Sequence, residues 1–437
     1  MEEGYPTAAA IQILDGKALY RDVWFDKPPL SPYMYALWGA RTGWPLRVAG
    51  AVFVWLCCLM AYRFARDVWG EREGMAAASL LAFFLTFGIP SAVMALAPDL
   101  LMVLPHLAAV YLAWKSRPFL SGLAAGGALL VNPKGVYVFA ACFLWLRYRE
   151  MSKFALAFLL PNIAALAWFG RPYLDEVWKW GFVYAGHTFV ERPAFVGLLR
   201  TLDWIGFQCA LVVGAGWWIW RERRQETIRC TVWTAIMLCA VTAGWRFFPR
   251  YYFILLVPLV IMASRGYVLL GSRRLILLVL LILPLARFGP RYLELASDLV
   301  YGRPHHWSDL AMMDDSAAAA RVILNESERA GTLLVWGYRP DIFAYTRMEA
   351  GTRFLDSQPL TGVIADRHLV SSEALVPEWA AQNRRELTQN RPNYIADGLG
   401  PYNRDLAITN YPDLKNWLRN YREIARTEHT IIYKLLP

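Results

Sequence analysis

Glu2-Glu3-Gly4-Tyr5 and, after one short helix, Leu19-Tyr20-Arg21-Asp22-Val23-Trp24-Phe25-Asp26-Lys27-Pro28-Pro29-Leu30 open the chain with acids, bases, aromatics and prolines. Almost everything for the next 250 residues is apolar. A loop this polar beside that much hydrophobic sequence is where chemistry is expected. Within the opening, Pro6 suits a first helical turn, Ala9, Ile13 and Leu14 recur at helical spacing, and Gly16 offers a stop, so residues 5–15 are predicted to be a short helix. Glu2 and Glu3 then sit at its positive end, where the dipole favours ionised carboxylates. Pro28, Pro29 and Pro32 prevent a long helix from Tyr20 onward. Ser31-Pro32 reads as the start of a second short helix, roughly residues 32–41.

The 437 residues are 57% hydrophobic and only 18% charged, against about 25% charged in an average soluble domain. Composition therefore predicts a membrane protein. The net charge of +10 is spread in short clusters between apolar segments, so nucleic acid is not expected as a partner. Cys57, Cys58, Cys142, Cys209, Cys230 and Cys239 lie in or beside apolar runs and give neither a disulfide framework nor zinc spacing. No metal site is predicted.

Apolar runs of membrane-spanning length are expected near 46–64, 74–90, 98–114, 118–132, 135–147, 154–170, 200–220, 230–245, 251–269 and 274–290, about ten in all. Arg63, Arg66 and Arg72, then Lys115 and Arg117, then Arg147, Arg149 and Lys153, then Arg221, Arg223, Arg224 and Arg229, then Arg265, Arg273 and Arg274 fall in alternate loops. The positive-inside rule makes those loops cytoplasmic. The opening stretch, the loop 171–199 and everything after about 290 are then outside. No span precedes the first outside loop, so either the start is truncated or the first span carries residues 1–45 across. Truncation is the preferred expectation.

The tail alternates differently. Helix-like Ala311–Ala330 is followed by strand-like Thr332-Leu333-Leu334-Val335-Trp336, a helix from Pro340, strand-like Asn393-Tyr394-Ile395-Ala396, helix-like 413–425 and strand-like Thr430-Ile431-Ile432-Tyr433. That alternation predicts a small α/β domain. The expected organisation is a loop region 1–45, a transmembrane domain 46–290 and a soluble extracytoplasmic domain 291–437.

Several residues in the outside loops have the chemistry of a site. Glu2 and Glu3 share their loop with Arg21, Asp22, Asp26 and Lys27. Carboxylates can take a proton from a hydroxyl, and cations can stabilise a departing phosphate, although capping alone also explains acids at a helix start. Asp99, after Ala97-Pro98, begins a span at the outer face, where an acid is costly unless paired, functional or a cap. Lys134 breaks two apolar segments in Asn132-Pro133-Lys134-Gly135. Arg246 and Arg250 flank Phe247-Phe248-Pro249, and Tyr251-Tyr252 follow. Such cations often only snorkel to headgroups. The alternative is that Lys27, Lys134 and Arg250 converge on an anionic ligand, best a lipid phosphate. In 171–199, Asp175, Glu176, His187 and Glu191 lie among Trp178, Trp180, Tyr184 and Phe189, either an interfacial aromatic belt or a sugar site in which His187 or Glu191 binds hydroxyls. His305-His306 is too isolated for a metal site.

These residues resemble a known family. Glu2-Glu3-Gly4-Tyr5, Leu14-Asp15-Gly16, Leu19-Tyr20-Arg21-Asp22 and Phe25-Asp26-Lys27-Pro28-Pro29-Leu30 are similar to the first external loop of polyprenyl-phosphate-sugar glycosyltransferases of the GT-C superfamily. The particular likeness is to glycosyltransferase family 39, which includes the protein O-mannosyltransferases and the aminoarabinose transferases of lipid A. Ala97-Pro98-Asp99, Asn132-Pro133-Lys134-Gly135, Arg250-Tyr251-Tyr252-Phe253 before Leu256-Val257-Pro258, and Val335-Trp336-Gly337-Tyr338 with Thr352-Arg353-Phe354 add to it. The resemblance implies a polytopic α-helical membrane protein with a small C-terminal α/β extracytoplasmic domain, in the plasma (inner) membrane, its active site at the outer face. It also implies transfer, with inversion, from a polyprenyl-phosphate sugar donor to a lipid, glycan or protein acceptor.

In that family the loop carries Asp-Glu, so Glu2 falls on the catalytic Asp and Glu3 on its neighbour; the longer side chain also allows Glu3 the role. The resemblance implies Lys27, Lys134 and Arg250 on the phosphate and Asp99 orienting the acceptor or a cation. Asp26, Arg21, Tyr251 and His187 are expected among the substrate-binding residues, with Trp24, Trp178 and Trp180 lining the sugar. The sequence names no cofactor with certainty, and a divalent cation is compatible with the acids. A catalytically inactive lipid-phosphate-binding relative and a transporter or flippase are the alternatives. A transporter should show paired halves or charges in mid-span.

Overall fold

The computed structural model describes residues 3–88, 96–188, 190–301, 308–326 and 331–437. Helix α1, Gly4–Leu14, and α2, Leu30–Ala36, bracket the opening loop, close to the predicted 5–15 and 32–41. Then follow α3 (Trp44–Val68), α4 (Glu71–Thr86), α5 (Pro98–Leu101), α6 (Val103–Trp114), α7 (Pro118–Val131), α8 (Gly135–Cys142) and α9 (Tyr148–Tyr173). A π turn, Leu174–Lys179, leads to α10 (Trp180–Gly186). The remaining apolar helices are α11 (Pro193–Phe207), α12 (Cys209–Arg221), α13 (Gln225–Thr242), α14 (Phe253–Leu269), α15 (Leu275–Leu280) and α16 (Ile282–Tyr301).

Among the described residues, three helices are long and apolar enough to cross a membrane: Trp44–Val68, Tyr148–Gly186 and Pro249–Leu269. Counting the bent pairs Pro193–Phe207 with Cys209–Arg221 and Gly271–Leu280 with Ile282–Glu294 as one span each gives up to five. The sequence count of about ten is larger because it reads every apolar run as a crossing. Pro98–Trp114 and Pro118–Val131 are apolar but short for a span that needs about 20 residues, and Gly135–Cys142 is a helix of 8.

Small residues let the helices approach closely, as membrane packing requires. A Cβ on Gly266 of α14 would lie 1.8 Å from the Gly214 carbonyl of α12. Large apolar side chains such as Trp55, Leu156, Ile163 and Trp168 remain exposed. Near the other end of α14 from its Pro249–Tyr252 lead-in, Arg265 pairs with Glu73 at 2.6 Å and with Glu222 at 2.7 Å, tying α4, α14 and the end of α12 together.

In the tail, α17 (Ser308–Glu326) precedes β1 (Thr332–Trp336), β2 (Glu349–Ala350), β3 (Tyr394–Asp397), β4 (Tyr421–Arg426) and β5 (Ile431–Leu435). The sheet order is β2-β1-β3-β5-β4, with β2, β1 and β3 parallel and β5 and β4 antiparallel. The predicted strands at 332–336, 393–396 and 430–433 are found nearly in place. The helix expected over 413–425 is not: a short helix, Lys415–Leu418, gives way to β4. Pairing with β5 outweighs the weak helical pattern there.

The opening loop and the tail share one hydrophobic core. Tyr5, Ala8, Leu19, Tyr20, Val23, Trp24 and Phe25 pack with Leu333, Val335, Trp336, Phe343, Phe354 and Leu360. A residue early in the chain is thus held by a domain more than 300 residues later.

Candidate active site

The loop before α2 is fixed residue by residue. Tyr20 adopts a left-handed backbone, φ 68°, which an aromatic residue tolerates only when its surroundings enforce it. Its amide donates to the Val23 carbonyl at 2.8 Å, and its hydroxyl donates to the Lys27 carbonyl at 2.7 Å. The Trp24 amide donates to the Arg353 carbonyl at 2.7 Å, and the Phe25 amide to Glu176 Oε2 at 2.9 Å. Glu176, on the π turn, also pairs with the Arg353 guanidinium. Loop, π turn and tail therefore meet at one carboxylate.

This anchoring presents Asp26 and Lys27. The Asp26 carboxylate, nearly buried, accepts from Lys27 Nζ at 2.9 Å and from Gln358 Nε2 at 3.3 Å. Lys27 exposes about a third of its side chain. Burial works against its ammonium, but Asp26, Tyr251 and Asp99 together hold its pKa above the ordinary lysine value.

A second group lies within electrostatic reach. Lys134 Nζ is 3.3 Å from Asp99 Oδ1 and 3.1 Å from the centre of the Tyr251 ring, a cation–π arrangement. Asn132 Nδ2 donates to the same Asp99 oxygen at 3.2 Å, and Arg250 Nε lies 3.6 Å from Asp99 Oδ2. Asp99 leads α5, Lys134 sits in the break between α7 and α8, and Arg250 is on the turn Pro249–Tyr252 before α14. Lys27, Lys134, Arg250, Asp26, Asp99 and Tyr251 thus converge from four chain segments.

Other predicted residues stand elsewhere. Glu3 is largely buried: Arg47 Nη1 and Nη2 lie 3.2 and 3.0 Å from its two oxygens, and the Leu96 amide donates to Oε1 at 3.0 Å. Glu2 and His305-His306 lie outside the described residues. Arg21 is exposed and pairs with Asp22 at 2.7 Å, so it is not drawn into the cluster. The exposed His187 ring is bonded to the Val183 carbonyl at 2.8 Å; it is the His187 carbonyl that joins the site's frame, accepting from Arg246 Nη2 at 2.9 Å. Arg246 is buried, stacks 3.4 Å from the Tyr184 ring centre and reaches Asp366 of the tail at 3.3 Å. Tyr184 lies beneath Lys27, 5.6 Å from Nζ to ring centre. Among the described residues, no group of three or more His, Cys, Asp or Glu is arranged to hold a metal ion.

Sequence reasoning gave no site role to Glu176, Tyr338, Asp356 or Gln358. Tyr338 follows β1 through Gly337, whose φ of 121° swings the chain so that the ring lies 5.8 Å from Tyr5. Only Val335-Trp336-Gly337-Tyr338 and Thr352-Arg353-Phe354 hinted that the tail takes part. A groove of about 940 Å³ lined by Arg72, Tyr267 and Arg274 is near the far end of α14 and contains none of the predicted residues.

The apolar helices carry a mixed sheet packed on the first loop, with cations gathered where the two meet. Proteins similar in sequence and in fold are known. Residues 26–169 match the family described as dolichyl-phosphate-mannose-protein mannosyltransferase. The undecaprenyl phosphate-alpha-4-amino-4-deoxy-L-arabinose arabinosyl transferase of Pseudomonas aeruginosa strain UCBPP-PA14 is 27% identical over 278 residues, 56% of this chain and 50% of the relative. The chain thus spans about half the length of the curated relatives it matches. The crystal structure of ArnT from Cupriavidus metallidurans bound to undecaprenyl phosphate has a TM-score of 0.61 at 12% identity, covering 99% of this chain and 93% of that one. Its apo state gives 0.58 at 14% identity, over 99% and 92%. At such identities the likeness is one of fold. The resemblance read from the sequence is borne out as a likeness: residues 26–169 match that mannosyltransferase family, and the fold is that of the two ArnT structures.

Proposed function

We propose that this chain is a glycosyltransferase that uses a sugar carried on a polyprenyl phosphate. The observation that carries the reading is the convergence of Lys27, Lys134 and Arg250 around Asp99 and Tyr251. Three cations from separate segments, accompanied by the carboxylates of Asp26 and Asp99, suit a lipid-linked phosphate whose charge grows as the sugar leaves. The acceptor oxygen or nitrogen attacks the anomeric carbon from the face opposite the phosphate. As the new bond forms, the carbon–oxygen bond to phosphate breaks, its electron pair passes to the phosphate, and the configuration inverts.

The acceptor's proton goes to a carboxylate. Glu2 or Glu3 is the base in this proposal. Arg47 and the Leu96 amide give Glu3 a fixed position, which a base requires, while also occupying its oxygens. The same geometry supports a second reading, in which Glu3 is purely structural and Glu2 takes the proton. Asp99 holds Lys134 and Arg250 in place, and the tail selects a lipid, glycan or protein acceptor; Trp24 and Trp180, expected beside the sugar, are instead buried against each other in the core of loop and tail.

Membranes containing the full chain, supplied with radiolabelled polyprenyl-phosphate sugar, are expected to release polyprenyl phosphate, and a Glu2→Ala, Glu3→Ala double variant to lose that release by at least about a hundredfold. Undiminished release in the double variant removes both acids from the chemistry. Single Glu2→Gln and Glu3→Gln variants separate the two readings. We place the site and the tail on the outer side of the inner membrane, following the arginine distribution. A reporter fused after Pro437 should then be active only when exported; activity confined to the cytoplasm inverts the topology.

A further inference from the structure

Between the opening loop and the tail lies a carboxyl that the mechanism above does not use. Asp356 is completely buried. Its Oδ1 accepts the Gln358 amide at 2.7 Å, and its Oδ2 has no hydrogen-bond partner among the described residues. A half-satisfied buried carboxyl is costly and calls for an explanation. Its neighbourhood supplies one. Gln358 bonds Asp356 with its backbone and Asp26 with its side chain, and the Gln358 Oε1 is fixed by the Ala365 amide at 2.9 Å. The bridging amide group therefore faces Asp26.

The charged and titratable groups around Asp356 come from three elements. Asp26 and Lys27 belong to the opening loop. Tyr5 of α1 feels both Asp26 and Asp356. So does Tyr338 after β1, which also feels Arg250. No other cation than Lys27 acts directly on Asp356 in this set.

We infer that Asp356 is a positioning residue of the candidate site, a tail carboxyl joined through Gln358 to Asp26, whose gain or loss of a proton controls how strongly Lys27 can hold a lipid phosphate. The inference rests on the phosphate reading of the Lys27 cluster. Neutral Asp356 leaves Lys27 shared between Asp26 and the incoming phosphate. Ionised Asp356 adds a negative charge that competes for Lys27 and repels the phosphate. Burial pushes the Asp356 carboxyl up to about 8; the Gln358 amide lowers it, Asp26 raises it and Lys27 lowers it. Lys27 itself stays charged across this range, since its pKa is held above the ordinary lysine value. Phosphate binding above pH 8 is therefore accompanied by proton uptake, and affinity falls as pH rises through that value.

The test uses the full chain in lipid nanodiscs and undecaprenyl phosphate as the probe. A buried charge that acts on Lys27 changes binding by about tenfold at an effective dielectric near 20. Wild-type affinity is expected to fall by about tenfold between pH 7 and pH 9. In Asp356→Asn, which keeps the shape and the acceptor for Gln358 but cannot ionise, affinity should match wild type at pH 7 and stay within about threefold at pH 9. An equal fall in both proteins overturns the inference while leaving the phosphate site standing. No binding by wild type at any pH overturns the phosphate reading and this inference with it. Should Asp356→Asn not fold, calorimetry of wild type at pH 8.5 in two buffers of different ionisation enthalpy decides: net proton uptake on binding supports the role, and none rejects it.

Discussion

Lys27→Ala should reduce transfer from a polyprenyl-phosphate sugar by roughly 10²–10³-fold, the usual cost of removing one preorganised group from a developing negative charge. Lys27 is the cation of the cluster that belongs to the opening loop, and the loop is fastened at nearly every residue around it. The Tyr20 hydroxyl holds its carbonyl, Asp26 holds its ammonium, and Tyr184 lies under its side chain. Removing it leaves Asp26, almost buried, with Gln358 alone and next to Asp356. The remaining site is then more negative where the phosphate must rest. Lys27→Arg keeps the charge, but a planar fork does not replace a compact ammonium in this space, so only partial recovery is expected. The measurement is initial rate of polyprenyl phosphate release at saturating donor, together with donor affinity. A wild-type rate in Lys27→Ala would take the phosphate away from this cluster.

The second large effect concerns the junction at Glu176. Its two oxygens serve the Phe25 amide and the Arg353 guanidinium, so one side chain on the π turn fastens the opening loop and the tail together. Glu176→Ala should destabilise the protein by about 2–4 kcal/mol, at the lower part of the range for a broken buried pair because Arg353 keeps about a quarter of its side chain exposed. Thermal unfolding in detergent should show the loss. Glu176→Gln, which still accepts from Phe25, should fall between. Activity should drop more than stability alone explains, because the released segment is the one that carries Lys27. A variant with unchanged melting and unchanged rate would mean that loop and tail are held by their apolar core alone.

How much of this could be read from the chain differs by level. The short helices of the opening, the apolar helices and three of the five strands follow from local pattern: helical spacing, hydropathy and β-branched runs are properties of neighbours in sequence. The number of crossings is not set by local pattern alone. A hydrophobic run reports that a segment avoids water, but it does not say whether the helix is straight, bent at Gln208 or only two turns long, as Gly135–Cys142 is. Strand β4 was read as a helix because its reason for being a strand is β5.

The site divides in the same way. Lys27, Asp99, Lys134 and Arg250 stood out in the sequence because a charge beside a membrane segment is expensive and therefore conspicuous, and the structure brings these side chains together. Arg21 carried the same signal and turned out to be an exposed partner of Asp22. Glu3 had the right chemistry, yet nothing near it in sequence predicted Arg47 or the Leu96 amide. Asp356 had no signal at all, since an acid in a polar tail is unremarkable until its burial is known.

By itself, then, the sequence determined that this is a polytopic membrane chain with a polar first loop, an α/β tail and a small set of conspicuous charges, because composition and periodicity are local quantities that solvent and bilayer act on directly. The tertiary structure alone decided that the first loop and the tail form one core, that the cations meet over Asp99 and Tyr251, and that Asp356 and Gln358 stand behind Asp26. Those are facts of distance between residues as far apart as 26 and 358, and a carboxyl's burial, partners and proton affinity exist only once such distances are set.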